Sequence, residues 1–126
     1  MDMQKDSLEN IRQVLADFAR RRDWDQFHSP KNLSMALIAE AAELVEHFQW
    51  LTEAQSKNPG TEKLGEIALE LADILIFLVR IADKLGIDLL AAAQQKIEIN
   101  EQRYPADKVR GKALRASEYK LQEPEN

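Results

Sequence analysis

The stretch from Glu62 to Leu85 constrains the fold most, because its apolar residues repeat with the period of an α-helix. The stripe has a 4-3-4-3-4 spacing: Ile67, Leu71, Ile74, Leu78, Ile81 and Leu85. Within it, ILIFLV is apolar on every side, as expected of a helix that is buried all round. Those six residues alone would also suit a strand, but the flanking stripe favours a helix that Gly86 ends. We therefore expect a long helix at the centre of the fold or at a subunit interface.

Three further segments are predicted to be helical and are flanked by residues that commonly begin or end helices: Ser7–Arg22, Pro30–Leu51 and Asp88–Tyr104. Asp6 or Ser7 can cap the first segment, and Ser29 can cap the second, which has proline at its first position. Pro105 ends the last segment. The stretch DWDQFHSP lacks helical periodicity, and TEAQSKNPGT is predicted to be a polar loop because it is rich in helix breakers. No strand pattern competes, so the sequence predicts an all-α fold, a four-helix bundle in which short connections make neighbouring helices antiparallel.

Length and composition indicate one globular domain, since a chain of 126 residues can bury roughly two-thirds of its unfolded surface. We assign residues 1–105 to this domain and the polar residues 106–126 to a C-terminal arm or disordered tail. The net charge of −5 argues against nucleic-acid polymers and anionic membranes as partners. The chain has no cysteine, no apolar signal segment and no run of about 18 apolar residues, which predicts a cytosolic protein.

Two pairs of carboxylates interrupt the apolar stripes of the second and third predicted helices. Glu40 and Glu43 lie about 60° apart on one helix face, and Glu70 and Asp73 repeat this arrangement. Four carboxylates on adjacent buried helices would repel one another, and burying each charge is unfavourable. A hard divalent cation removes both problems, and Mg²⁺ prefers oxygen ligands while it keeps positions for water and substrate phosphates. The pattern therefore predicts a Mg²⁺ site inside the bundle.

Other interpretations of the acidic pairs stay open at this point. A single E-x-x-E pair is usually part of a solvated face, although both pairs here stand within apolar stripes. A di-iron site normally uses Glu-x-x-His pairs, which His28 and His47 do not complete. His47 follows Glu43 by four residues, so it could touch the site, while an exposed imidazole or one that contacts only the carboxylate ligands is equally compatible with this spacing. A non-catalytic oligomerisation module would use both pairs as buried polar groups that specify pairing.

Cationic and aromatic side chains are candidates for nucleotide binding. Lys96, Asn100 and Arg103 share one face of the fourth predicted helix and could grip a polyphosphate. The same face is equally compatible with local salt bridges in solvent. The two tryptophans, Trp24 and Trp50, could stack on a base, although a single aromatic more often serves packing.

Together these residues resemble the MazG-like superfamily of all-α nucleoside triphosphate pyrophosphohydrolases. The family motif is E-x-x-E, a spacer and E-x-x-D, and this chain has EAAE, 26 residues and ELAD. Four blocks are similar, in order, to the dCTP pyrophosphatase branch: RDWDQFHSPKN, AEAAELVEHFQW, ELADILIF and INEQRYP. The resemblance covers roughly residues 8 to 106 and leaves the tail uncovered.

The resemblance implies hydrolysis of a nucleoside triphosphate, expected to be dCTP or a modified dCTP, to the monophosphate and pyrophosphate, as a means of cleaning the nucleotide pool. It assigns Mg²⁺ binding and catalysis to four carboxylates: Glu40, Glu43, Glu70 and Asp73. It assigns substrate contacts to a larger set: Trp24, His28, Trp50, Phe77, Lys96, Asn100, Arg103 and Tyr104. Members of the family form dimers, or tetramers that are dimers of dimers, so a homo-oligomer is expected, with a tetramer as its form.

Two positions depart from the pattern of the animal enzymes in this branch. Phe77 stands where they have a tyrosine, and Leu15 stands where they have a histidine. Each change removes a polar group that could touch the substrate, so the preference for base and sugar stays open. An enzyme that acts on dUTP or another nucleotide is the alternative within the same fold.

Overall fold

The computed structural model describes residues 7–120. It contains seven α-helices, α1 to α7 in chain order: Leu8–Arg21, Pro30–Glu46, Glu53–Ser56, Thr61–Leu85, Leu89–Arg103, Ala106–Val109 and Ala116–Lys120. A short 3-10 turn, Asp25–Phe27, lies between α1 and α2. The part of the chain that the structure describes has no strand, which confirms the all-α prediction. Within the same residues, no helix combines the length and the hydrophobicity that a bilayer span requires.

Local capping explains where the main helices begin and end. Ser7 caps α1 by accepting a hydrogen bond from a backbone N–H at 3.2 Å, while the alternative cap, Asp6, lies outside the described residues. Ser29 caps α2 in the same way at 3.1 Å, with Pro30 at the first helical position. Gly86 ends α4 with a φ of 66°, a left-handed conformation that favours glycine. These start and stop residues agree with the sequence prediction.

Helix α2 is shorter than predicted. The sequence predicted a helix to Leu51, but α2 ends at Glu46 and residues 47–50 form turns. Three N–H groups between residues 47 and 51 donate to carbonyls three residues back instead of four, which tightens the backbone out of the α-helix. The prediction was wrong here because apolar periodicity continues through Leu51 and no glycine or proline marks the stop.

The polar stretch that follows contains α3, a single helical turn, where the sequence predicted a loop. Thr52 accepts a hydrogen bond from the backbone N–H of Gln55 at 3.1 Å. The side chain of Gln55 accepts one from the N–H of Thr52 at 3.0 Å. This reciprocal pair is a capping box, and its T-x-x-Q signal is present in the sequence.

The chain divides into two compact units between Asp88 and Leu89. In the first unit α4 is central, because both α1 and α2 pack against it. Each of these helices contributes to the buried core, with Ala19 from α1, Leu33 from α2 and Val79 from α4. The central place of α4 agrees with the long apolar stripe of its sequence.

The second unit contains α5, α6 and α7. Ala116 and Tyr119 of α7 are buried, and the hydroxyl of Tyr119 accepts a hydrogen bond from the N–H of Leu114 at 2.8 Å. The ring of Tyr119 meets that of Tyr104 edge to face, with centroids 5.9 Å apart. Residues 106–109 and 116–120 are thus helical, and α7 is packed, which their polar composition did not predict. Residues 121–126 of the predicted arm lie outside the described residues.

Candidate active site

A cluster of carboxylates lies where α2 packs against α4. Glu40, Glu43 and Glu70 each contribute one carboxylate oxygen to a group in which all the oxygens lie within 4.8 Å of one another. The three-residue spacing on α2 places Glu40 and Glu43 on one face, opposite Glu70 of α4. Asp73 follows one turn after Glu70 and is half-buried. The structure therefore groups three of the four predicted carboxylates within this distance, with Asp73 next along α4.

Without a cation, the carboxyl groups of the cluster are close together and lack a positive partner. Burial, followed by the neighbouring carboxyl groups of Glu70, Glu43 and Asp73, raises the pKa of Glu40 from 4.5 to about 7. The Oε2 atoms of Glu40 and Glu70 are buried without a hydrogen-bond partner. Buried polar atoms are normally satisfied, so these two oxygens indicate a missing positive partner. An all-carboxylate donor set of this kind fits a hard divalent cation.

His47 lies beside this cluster on the contact between α2 and α4. Its Nδ1 is 3.8 Å from Oε2 of Glu66, and its side chain is 15% exposed. Glu66 stands one turn before Glu70 on α4. The imidazole thus lies near a carboxylate one turn from Glu70 and is mostly buried, which disfavours the freely exposed ring among the alternatives that the sequence left open.

The predicted base-binding residues lie on separate segments of the first unit. Trp24 and His28 flank the 3-10 turn, and the ring of Trp24 contacts that of Phe18 edge to face, with centroids 5.8 Å apart. Trp24 is 46% exposed, whereas Trp50, in the turns after α2, is 88% exposed. Both indole rings thus have surface available to a ligand. Their joint role in one pocket stays a prediction.

The two positions that depart from the animal enzymes both lie in the first unit. Phe77 stands on α4 one turn after Asp73, and Leu15 stands on α1; both are half-buried. Neither side chain can form a hydrogen bond. Any substrate contact at these positions is therefore apolar.

The predicted phosphate-binding residues lie on α5, in the second unit. Lys96 and Arg103 are exposed, and Asn100, on the same face, is half-buried. The guanidinium of Arg103 lies 5.8 Å from the ring centroid of Tyr104. Exposed cations are free to meet a phosphate, but a role for them in substrate binding stays a prediction.

An ionic network around a buried arginine, beside the 3-10 turn, was missed by sequence reasoning. Arg80 of α4 is 3% exposed and contacts Asp25, His28 and Asp83 at 3.0 to 3.3 Å. Lys84 binds the same oxygen of Asp25 at 2.6 Å. A cation directly after the apolar run ILIFLV was a visible signal. Its partners could not be identified from spacing, because two of them are more than 50 residues away in the chain.

Comparisons with known proteins identify the family. A sequence model of the MazG-like family matches residues 36–118, so the similarity extends beyond residue 106, where the motif resemblance ended. Human dCTP pyrophosphatase 1 is 43% identical over 114 residues, which are 89% of this chain and 67% of that protein. The rat protein of the same name is 43% identical over 111 residues, 86% of this chain and 65% of that protein. The chain spans about two thirds of the length of these relatives.

A solved structure shows the same fold. The crystal structure of a pyrophosphatase from Archaeoglobus fulgidus has a TM-score of 0.71 and 34% sequence identity to this chain. The match covers 83% of this chain and 98% of that one. The resemblance to the family is therefore confirmed by a family model, by relatives that match most of the chain and by the fold. The chain belongs to the MazG-like family.

Proposed function

We propose that the protein is a Mg²⁺-dependent nucleoside triphosphate pyrophosphohydrolase that converts dCTP, or a modified dCTP, to the monophosphate and pyrophosphate. The observation that carries this proposal is the cluster of Glu40, Glu43 and Glu70, with its two unsatisfied buried oxygens. Phosphoryl transfer depends on positive charge near the phosphate oxygens. The relatives that match most of the chain are named for hydrolysis of dCTP.

The carboxylates fit a Mg²⁺ site. Glu40, Glu43 and Glu70 would hold the ion, and Asp73 is expected to join them, since it lies close enough to raise the pKa of Glu40. Oxygen-only ligands suit Mg²⁺ better than softer metals. When bound, the ion supplies positive charge that offsets the charge of the triphosphate.

Glu43 is the carboxylate that we assign to the attacking water. It is exposed, whereas Oε2 of Glu40 is buried, so water reaches Glu43 more readily. A carboxylate there accepts a hydrogen bond from the water, orients it and takes up its proton as the water oxygen bonds to phosphorus. The P–O bond in the bridge between the α- and β-phosphates breaks in the same step, which separates the monophosphate from pyrophosphate. Glu40 is the alternative base, because it lies on the same face of α2 in the same cluster.

The other substrate contacts are proposed from the family resemblance. Trp24, His28 and Trp50 would form the base pocket, with Phe77 as an apolar contact. The phosphate contacts would come from α5 and the residue after it: Lys96, Asn100, Arg103 and Tyr104. The cytosol, which holds nucleotide pools, stays the predicted location.

We also propose a homo-oligomer, expected to be a tetramer made of two dimers. Four leucines of α4 are seven residues apart and expose 38% to 54% of their surface: Leu64, Leu71, Leu78 and Leu85. A spacing of seven drifts only about 20° per repeat, so they lie on one side of the helix. A row of exposed leucines is typical of a surface that another subunit covers. A second copy would bury α4 on the side that α1 and α2 leave open.

A thermal-shift experiment separates this function from a non-catalytic module. Mg²⁺ with dCTP should raise the melting temperature, since ligand at 100 times its Kd stabilises a protein by about 2.7 kcal/mol. The double variant Glu40→Gln/Glu70→Gln should lose the Mg²⁺-dependent part. Glu66→Gln, an exposed carboxylate on the same helix, should keep it. No Mg²⁺-dependent shift with dCTP in the wild type would favour the oligomerisation module.

A further inference from the structure

Arg80 is the one buried charged side chain among the residues that the structure describes, with 3% exposure. A guanidinium carries five N–H donors and no acceptor, and it stays charged at every pH at which proteins fold. Burial of such a group is unfavourable unless its donors find partners. The groups that contact Arg80 therefore indicate the role of its buried charge.

Two of these partners are carboxylates. Nη2 of Arg80 lies 3.0 Å from Oδ1 of Asp25, and its Nη1 lies 3.3 Å from Oδ2 of Asp83. Each carboxylate has a second cation: Lys84 is 2.6 Å from Asp25, and Arg12 is 3.0 Å from Asp83. Removal of the guanidinium would leave both carboxylates paired, so a neutral substitution at position 80 is expected to fold.

The third partner is an imidazole. Nε and Nη2 of Arg80 lie 3.3 Å and 3.2 Å from Nδ1 of His28. Because the guanidinium can only donate, Nδ1 must accept, and it has a free lone pair only when the ring proton is on Nε2. An imidazolium would instead place an N–H against the N–H groups of Arg80.

The electrostatic surroundings act in the same direction. Burial lowers the pKa of His28, and the charges of Arg80 and Lys84 lower it further, against the opposing effect of Asp25. The neutral ring is thus favoured in the pH range where an isolated histidine gains a proton. The contacts of Arg80 with Nδ1 select the Nε2–H tautomer, and the nearby positive charges keep the ring neutral.

We propose that Arg80 is a positioning residue that holds His28 in the neutral Nε2–H tautomer, as a constant hydrogen-bond donor to an acceptor atom of the nucleotide. This rests on the proposed function, in which His28 contacts the base. Nucleotide bases offer carbonyl oxygens and ring nitrogens as acceptors. Arg80 thus promotes substrate binding without touching the substrate, because it contacts the ring at Nδ1 and leaves Nε2 for the nucleotide.

Nitrogen NMR of the histidine side chains tests the tautomer directly, in full-length protein without nucleotide. The chain has two histidines, so a His47→Gln variant assigns His28. In the wild type, His28 should carry its proton on Nε2 at neutral pH. It should gain a second ring proton only at a pH below the usual range for histidine. Arg80→Met should give mixed tautomers that protonate at higher pH, whereas Arg12→Met should match the wild type. An Nδ1–H or charged His28 in the wild type, or no change in Arg80→Met, overturns the proposal.

Steady-state kinetics test the link to substrate. Arg80→Met should raise KM for dCTP by about three- to tenfold, the effect of one hydrogen bond, with kcat less affected and the defect larger at acidic pH. Arg80→Lys, which keeps a donor, should recover part of the loss and also serves if Arg80→Met does not fold. An unchanged KM would overturn the role in binding. If the wild type hydrolyses no nucleotide, the proposed function fails, while the NMR result still decides the tautomer.

Discussion

Glu40 and Arg80 are charged residues that face the packed interior of the first unit, and their surroundings balance them differently. Arg80 meets the carboxylates of Asp25 and Asp83, so its network is neutralised within the chain. Glu40 meets only further carboxyl groups, and its Oε2 has no hydrogen-bond partner. The difference explains why one network is complete in the protein alone and the other calls for a cation.

The raised pKa of Glu40 predicts a pH dependence of stability in metal-free protein. Between about pH 4.5 and 7 the folded state keeps the Glu40 proton that the unfolded state has lost. The free energy of unfolding in EDTA should therefore fall as the pH rises through this window. Urea denaturation at several pH values should show this contribution in the wild type and not in Glu40→Gln.

Glu46→Gln, at the exposed end of α2, is the matched control and should keep the wild-type pH profile. Saturating Mg²⁺ should flatten the fall, because metal binding replaces the proton. Identical slopes for the wild type and Glu40→Gln would contradict the account of Glu40.

The sequence pattern identified the carboxylate cluster but not the polar contacts between residues that are distant in the chain. Glu40, Glu43 and Glu70 could be predicted because each interrupts an apolar stripe at helical spacing. The contact between Arg80 and His28 could not, because 52 residues separate them and only the packing of the 3-10 turn brings them together. Local periodicity carries no information about such long-range polar contacts.

At the scale of the elements, helix starts and ends were predicted correctly where a single residue type favours the required backbone conformation. Gly86 marks the end of α4, and Ser29 with Pro30 marks the start of α2. The end of α2 was wrong because apolar residues continue to Leu51 and the backbone tightens without a stop residue. A helix end that no glycine, proline or capping residue marks is therefore the part that the sequence does not reveal.

Gly65 within α4 and Gly86 directly after it should change stability in opposite directions when replaced by alanine. Gly86 has a φ of 66°, and an added Cβ would meet nothing within 4 Å, so Gly86→Ala suffers only backbone strain, about 1 kcal/mol or more. Gly65, inside the helix and equally uncrowded, should gain about 0.5–1 kcal/mol on substitution by alanine. Melting curves of both variants measure this, and shifts of the same sign would contradict it.

At the scale of the whole molecule, the exposed leucines of α4 predict assembly. Leu78→Glu should lower the molar mass measured by light scattering after gel filtration, because a buried, unpaired carboxylate opposes subunit contact. The circular dichroism of the helices should persist. Lys63→Glu, which places the same side chain on the exposed polar side of α4, should keep the wild-type mass. A wild-type protein that is already monomeric would contradict the proposal.

Pyrophosphate release from a panel of nucleoside triphosphates with Mg²⁺ tests the central claim most directly. The wild type should yield equimolar monophosphate and pyrophosphate, with dCTP or a modified dCTP preferred over dUTP and the other nucleotides. Glu43→Gln should lose about 100-fold or more in turnover while it keeps its helicity. Release from no nucleotide, or unchanged turnover in Glu43→Gln, would contradict the account, and a preference for dUTP would contradict its substrate.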